Sequence, residues 1–165
     1  MTLSKNLKNK IFSKEIIISL TVVLTVFIFD RITKVNIIKH QLDNQSTFVN
    51  DYLNFELIWN TGIGFGLLSQ NANLYYHLIS LLIFTVICFL IYLTFKADFI
   101  EKILFSLILG GAVGNFYDRL IFFAVPDFID IHINDFHWFT FNIADIFITL
   151  GIFLIIIKDI IFKKR

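Results

Sequence analysis

The chain has 165 residues, 57% of them apolar and 16% charged, with 21 Phe and a mean hydropathy of +0.78. Soluble domains run near ~45–50% apolar and ~25% charged, and a domain of this size still needs a polar skin, so a soluble core is excluded. Disordered, collagen-like and disulfide-stapled chains are excluded by 7 Gly, 1 Pro and the single cysteine, Cys88. A net charge of +1 makes no case for nucleic acid. A single-domain polytopic membrane protein remains.

A bilayer crossing takes about 20 mostly apolar residues in a helix. Four stretches supply this length: 16–38, 74–95, 103–125 and 139–162. Their continuous apolar runs do not alternate as barrel strands would. The expected fold is an all-α membrane protein with four transmembrane helices and a small extracytoplasmic loop domain containing β-structure. The basic start followed by an apolar run resembles a signal peptide. However, Asp30-Arg31 stands where a small-residue cleavage site belongs, so the first helix is expected to stay.

Lys5, Lys8, Lys10 and Lys14 precede the first helix, Lys96 and Lys102 join the second to the third, and Lys163, Lys164 and Arg165 follow the fourth. The connections 40–73 and 126–138 contain no Lys or Arg and carry Asp43, Asp51, Glu56, Asp127, Asp130 and Asp135. Positive charge stays on the cytoplasmic side, so both termini are expected there, with the two acidic loops outside. The outer loop 42–73 is too long for a connector. Its part 47–59 mixes aromatic and β-branched residues, which predicts short strands on the membrane surface. Three glycines at alternate positions, Gly62, Gly64 and Gly66, permit tight turns, but no following Lys or strand–turn–helix context supports a nucleotide site.

Ionisable groups within apolar spans are functional candidates. Asp30 and Lys34 share a helix face at i, i+4, as do Asn115, Asp118 and Arg119, and Asn142 with Asp145 at i, i+3. All three groups lie toward the outward helix ends and can converge. Asp145 is expected about six residues into its helix, roughly 9 Å down at 1.5 Å per residue. Asp127 lies just past the third helix, placed to fold over the bundle. Two carboxylates in a poorly solvated site do not both ionise easily. One then stays an acid while the other activates water, which is equipment for hydrolysis without metal or cofactor. Structural readings stand beside these: an Asp118–Arg119 ion pair fixing helix packing, Asp30 and Lys34 snorkelling at a helix end, and Asn142 as a cap or interhelical bond. Asp145 has no cation within one turn of its own helix. His132, Asp135 and His137 do not share one helical face, so no metal is expected. Cys88 reads as packing, and Trp59 and Trp138 as interfacial belt residues.

Five segments together resemble the lipoprotein signal peptidases, or signal peptidase II: Phe29-Asp30-Arg31-Ile32-Thr33-Lys34, Asn60-Thr61-Gly62-Ile63-Gly64-Phe65-Gly66, Gly114-Asn115-Phe116-Tyr117-Asp118-Arg119, Val125-Pro126-Asp127-Phe128 and Phe141-Asn142-Ile143-Ala144-Asp145. The resemblance implies an aspartyl endopeptidase of the bacterial cytoplasmic membrane; a monomer among membrane lipids is the expectation beside it. Its substrate is a prolipoprotein, cut before a cysteine that already carries a diacylglyceryl group. The implied dyad is Asp127 and Asp145, with Asp30, Lys34, Asn60, Gly62, Asn115, Asp118, Arg119 and Asn142 supporting. Pro126 replaces a small apolar residue of the family pattern and makes Asp130 a rival to Asp127. Two other classes compete: a small proton- or ion-translocating protein using the buried carboxylates, and a non-catalytic membrane adaptor.

Overall fold

The computed structural model describes residues 14–41, 47–62, 73–134 and 136–162. In chain order these form α1 (Lys14–Gln41), β1 (Thr47–Asn50), β2 (Leu53–Asn60), α2 (Asn73–Lys96), α3 (Phe99–Phe122), β3 (Val125–Ile133), β4 (Phe136–Phe141) and α4 (Ile143–Phe162). The second half of the glycine run, Gly64 and Gly66, lies outside the described residues, as do Asp43, Asp135 and the outermost Lys and Arg of both termini.

The third and fourth helices depart most from the expected bounds. The third helix starts at Phe99, where the Asp98 carboxylate accepts the Glu101 backbone N–H at 2.9 Å and caps it. It ends at Phe122 instead of 125, because Phe123 takes the left-handed conformation (φ 55°) and the chain leaves the helix before Pro126. The fourth starts at Ile143 and not at 139. Residues 136–141, Phe-His-Trp-Phe-Thr-Phe, are mostly aromatic with one β-branched residue, a composition that suits a pleated strand. The expected 126–138 connection is therefore a β-hairpin, and Asp127 stands on a strand.

Helix α3 is central and packs against α1, α2 and α4. Ion pairs fix the helix directions at one end, where Lys102 meets Glu15 at 2.8 Å and Lys158 meets Glu101 at 2.9 Å. Helices α1 and α3 therefore run one way, and α4 returns. Two glycines of α3 permit the close approach: a Cβ on Gly114 would stand 2.6 Å from Asp30 Oδ2, and one on Gly111 2.5 Å from the Ala144 carbonyl oxygen. The segments Lys14–His40, Tyr76–Lys96 and Phe99–Phe122 are long and apolar enough to cross a membrane. Their outward faces expose Ile17, Leu20, Leu24 and Ile28 on α1, and Leu78, Leu81, Leu82 and Phe89 on α2. Such a continuous apolar surface suits acyl chains and not water.

The strands form one antiparallel sheet in the order β1-β2-β3-β4. Strands β1 and β2 fall within the stretch read as strand-forming, whereas β3 and β4 were not anticipated. In the β2–β3 ladder Asn60 lies opposite Val125 and Ile58 opposite Asp127. Asn60 and Asp127 are thus diagonal neighbours on one face of the sheet.

Candidate active site

Asp30, Lys34, Asn115, Asp118, Arg119, Asn142 and Asp145 gather at one end of the bundle, where α1 and α3 finish and α4 begins. Helix α4 opens with reciprocal capping. Asn142 Oδ1 accepts the Asp145 N–H at 3.1 Å, and Asp145 Oδ2 accepts the Asn142 N–H at 3.1 Å. This is a capping box with Asn and Asp in place of the usual Ser/Thr and Glu. It puts Asp145 in the first turn, at the mouth of the bundle, instead of about six residues inside. A neighbouring free helix donor, the Ala144 N–H, is taken by Asp30 Oδ1 at 3.1 Å.

Three asparagine amides then join the carboxylates. Asn142 Nδ2 donates to Asp127 Oδ1 at 2.6 Å while its carbonyl serves the helix cap. Asn60 Nδ2 donates to Asp127 Oδ2 at 2.9 Å, and its Oδ1 accepts the Gly62 N–H at 2.9 Å. Asn115 Nδ2 donates to Asp145 Oδ1 at 2.8 Å, and its Oδ1 accepts from Lys34 Nζ at 2.8 Å. An amide offers both a donor and an acceptor, so each one holds a carboxylate with one end and is itself held by the other. All four carboxylate oxygens of Asp127 and Asp145 are engaged.

Beneath lies a charge cluster. Lys34 and Asp30 are fully buried, with Nζ 2.9 Å from Asp30 Oδ2 and 2.8 Å from Asp118 Oδ2. Arg31 adds a bond to Asp118 Oδ2 at 2.7 Å and lies over the Tyr117 ring. The ion pair considered between Asp118 and Arg119 is absent among the described residues. Asp118 turns to α1, whereas Arg119 donates to the Gly62 carbonyl and stacks on Tyr76, whose hydroxyl donates to the Arg119 carbonyl. Arg31 and Tyr76 were not picked out from sequence. Arg31 has a signal there, a cation one residue from Asp30; Tyr76 has none. The buried Arg119 Nη1 has no partner.

Asp130 does not join this group. It is three residues along β3 from Asp127, hence on the opposite face, and bonds to His137 Nδ1 at 2.7 Å. A cavity of about 670 Å³ opens from Asp127, Asp145, Asn60, Asn115 and Arg119 and runs between α2, α3 and α4 along aliphatic side chains such as Leu82, Val86, Ile108, Ile148 and Ile152.

Asp127 holds its proton well above the usual carboxylate range, up to about 6. Burial is the main cause and the charge of Asp145 the next, opposed by the amides of Asn60 and Asn142. Asp127 is therefore in its acid form below about pH 6 and loses that proton above it. We expect kcat/KM to fall as pH rises through the Asp127 midpoint. Isotope-edited infrared of 13C-aspartate should show that midpoint falling in Asp145→Asn, yet staying above 3.8 because burial remains.

Paired carboxylates at a cavity mouth, one on a strand and one in the first turn of an apolar helix, define the class of membrane-embedded aspartic peptidases. The family model for signal peptidase (SPase) II matches residues 22–161. The lipoprotein signal peptidase of Pelagibacter ubique is 46% identical over 159 residues, covering 95% of this chain and 96% of the relative. That of Aquifex aeolicus is 42% identical over 142 residues, covering 84% and 83%. A bacterial membrane enzyme solved by the in meso method at 2.3 Å superposes with a TM-score of 0.70 at 31% identity, covering 91% of this chain and 93% of that one. The chain belongs to the signal peptidase II family, a family of aspartic peptidases.

Proposed function

We propose that this protein removes the signal peptide of prolipoproteins with Asp127 and Asp145 as its catalytic dyad. The observation that carries the assignment is the shared Asn142, which caps α4 with Asp145 and donates to Asp127. The ionised carboxylate takes a proton from water as the water oxygen attacks the scissile carbonyl carbon, and the protonated one gives its proton to the carbonyl oxygen. In collapse the proton taken from water passes to the departing amide nitrogen, and the gem-diol returns one to the other carboxylate. No covalent enzyme intermediate is needed.

The other residues hold this pair. Asn60 and Asn142 orient Asp127, and Asn115 orients Asp145. Lys34, Asp30 and Asp118 fix Asn115 and the α1–α3 contact. Gly62 and Arg119 anchor the chain beside the cavity, and the unpartnered Arg119 Nη1 offers a donor to a substrate carbonyl. The aliphatic cavity suits the apolar part of a signal peptide. Helix α4 carries Asp145, Lys158 and Asp159 in 20 residues; we read it as the fourth span, with its two charged ends at the two interfaces. Both termini then face the cytoplasm and the sheet lies on the outer surface of the cytoplasmic membrane. There a monomer meets substrate whose acyl chains stay among the lipids. A proton relay would need polar groups through the whole thickness, but residues 16–29, 103–117 and 146–157 carry no charge.

The test is cleavage by the purified protein in lipid, followed as a gel shift. A diacylglyceryl-modified prolipoprotein should be cut before its cysteine and the unmodified form left intact. Failure on several lipidated substrates by folded protein would overturn the proposal.

A further inference from the structure

Away from the dyad, the β3–β4 hairpin collects a second group. Asp130 and His132 are two apart on β3 and so share a face, the one opposite Asp127. An unbroken ladder would place Trp138 across from His132. Instead a bulge between Ile131 and His132 shifts the register by one, so that His132 pairs with His137 and Trp138 is turned outward, 65% exposed. The bulge thereby gathers Asp130, His132 and His137, whose ligand atoms all lie within 4.8 Å of one another.

We propose that these three residues bind a divalent cation of the zinc type, tying β3 to β4. The donor set is a carboxylate and two imidazoles, which suits zinc with a fourth position open to water. The distances fit. Metal–ligand lengths of about 2.0–2.1 Å in a tetrahedron separate the ligand atoms by roughly 3.3 Å. His132 Nδ1 stands 3.6 Å from Asp130 Oδ2, and His137 Nδ1 stands 2.7 Å from the same oxygen, a hydrogen bond that opens slightly as metal replaces the proton. A second observation points to a ligand. His132 is more than nine-tenths buried, yet its Nδ1 beside Asp130 has no hydrogen-bond partner. A buried ring nitrogen left unsatisfied is costly, and a cation removes that cost. On the same face Asn54, paired across the ladder with Asp130, has a second unpartnered buried acceptor, Oδ1. The cation takes no part in peptide hydrolysis. It closes the open end of the strand that carries Asp127.

Tag-free protein in phosphatidylcholine nanodiscs at about pH 8, where unperturbed imidazoles are neutral, is titrated with Co2+ and then Zn2+. The expected result is one Co2+ per chain with the intense visible absorption of a tetrahedral site, displaced by Zn2+. His132→Ala should weaken binding by more than about tenfold. His137→Ala and His137→Gln, at a half-exposed position that tolerates change, should do the same with unchanged helical circular dichroism. Zn2+ should raise the Tm of the wild type and not of these variants. No binding, a weak octahedral spectrum, or binding unchanged in the His137 variants would overturn the proposal. Because the readout is metal and not cleavage, its failure leaves the peptidase assignment standing.

Discussion

Asp127→Asn and Asp145→Asn should each lower kcat on a lipidated prolipoprotein by at least about a thousandfold, with KM little changed. The double variant should be no worse than either single one. An asparagine keeps the size of the carboxyl and its one oxygen still accepts one of the two bonds that each carboxylate holds, while its Nδ2 meets the other donor, so the fold is expected to persist with reduced stability. What it loses is the exchangeable proton or the anion, and the two roles act as a unit. Asp130→Asn, changed on the far face of β3, should lose less than about tenfold. Single-turnover cleavage with thermal unfolding as a folding control makes the measurement. If Asp130→Asn is dead and Asp127→Asn active, the site moves and the dyad assignment fails.

The second large effect is structural. Lys34→Met should destabilise the protein by about 3–5 kcal/mol, because removal of one partner strands buried charge. The ammonium is fully enclosed and bonds to Asp30, Asn115 and Asp118 at 2.8–2.9 Å. Its loss leaves Arg31 as the one cation that Asp30 and Asp118 share among the described residues, and releases the carbonyl end of Asn115, which holds Asp145. Activity should fall with stability. Lys34→Met combined with Asp118→Asn should be less damaging than the two single effects added, since the second change removes a charge that the first stranded. Unfolding measured in lipid, with activity at a temperature where both variants remain folded, separates the two. Simple additivity would show that the cluster is not a unit.

The sequence carried much of this arrangement, unevenly. The i, i+4 spacing of Asp30 and Lys34 foretold a bond that the structure has at 2.9 Å, because helix geometry alone decides it. The i, i+3 spacing of Asn142 and Asp145 supports both a shared face and a cap at Asn142; the cap is what the structure has, and it sets Asp145 in the first turn, which the expected helix start at 139 did not allow. The third helix was carried too far because Phe123 and Ala124 are apolar, while its end is set by one left-handed residue that hydropathy does not register. Strands β3 and β4 were missed since their aromatic run adjoins an apolar helix and merges with it in any hydropathy window. Parity along β3 separates Asp127 from Asp130, but parity is usable only once the strand is known. The pairing of His132 with His137 depends on a bulge, a tertiary feature without a local signature.

The charge-free lengths of the helices have a bearing on the membrane that holds them. A hydrolase must admit water, and a bilayer that stores an ion gradient must not let water and carboxylates line up into a wire. In this chain all the protonatable groups of the dyad and its supports sit at one end. Below them about twelve residues of α4, 146–157, run without a charge, roughly 18 Å of helix. That band serves as an insulator. With the proposed dyad at that end, the reaction would draw its water from one side and return its protons to the same side, so turnover would not discharge the voltage across the bilayer.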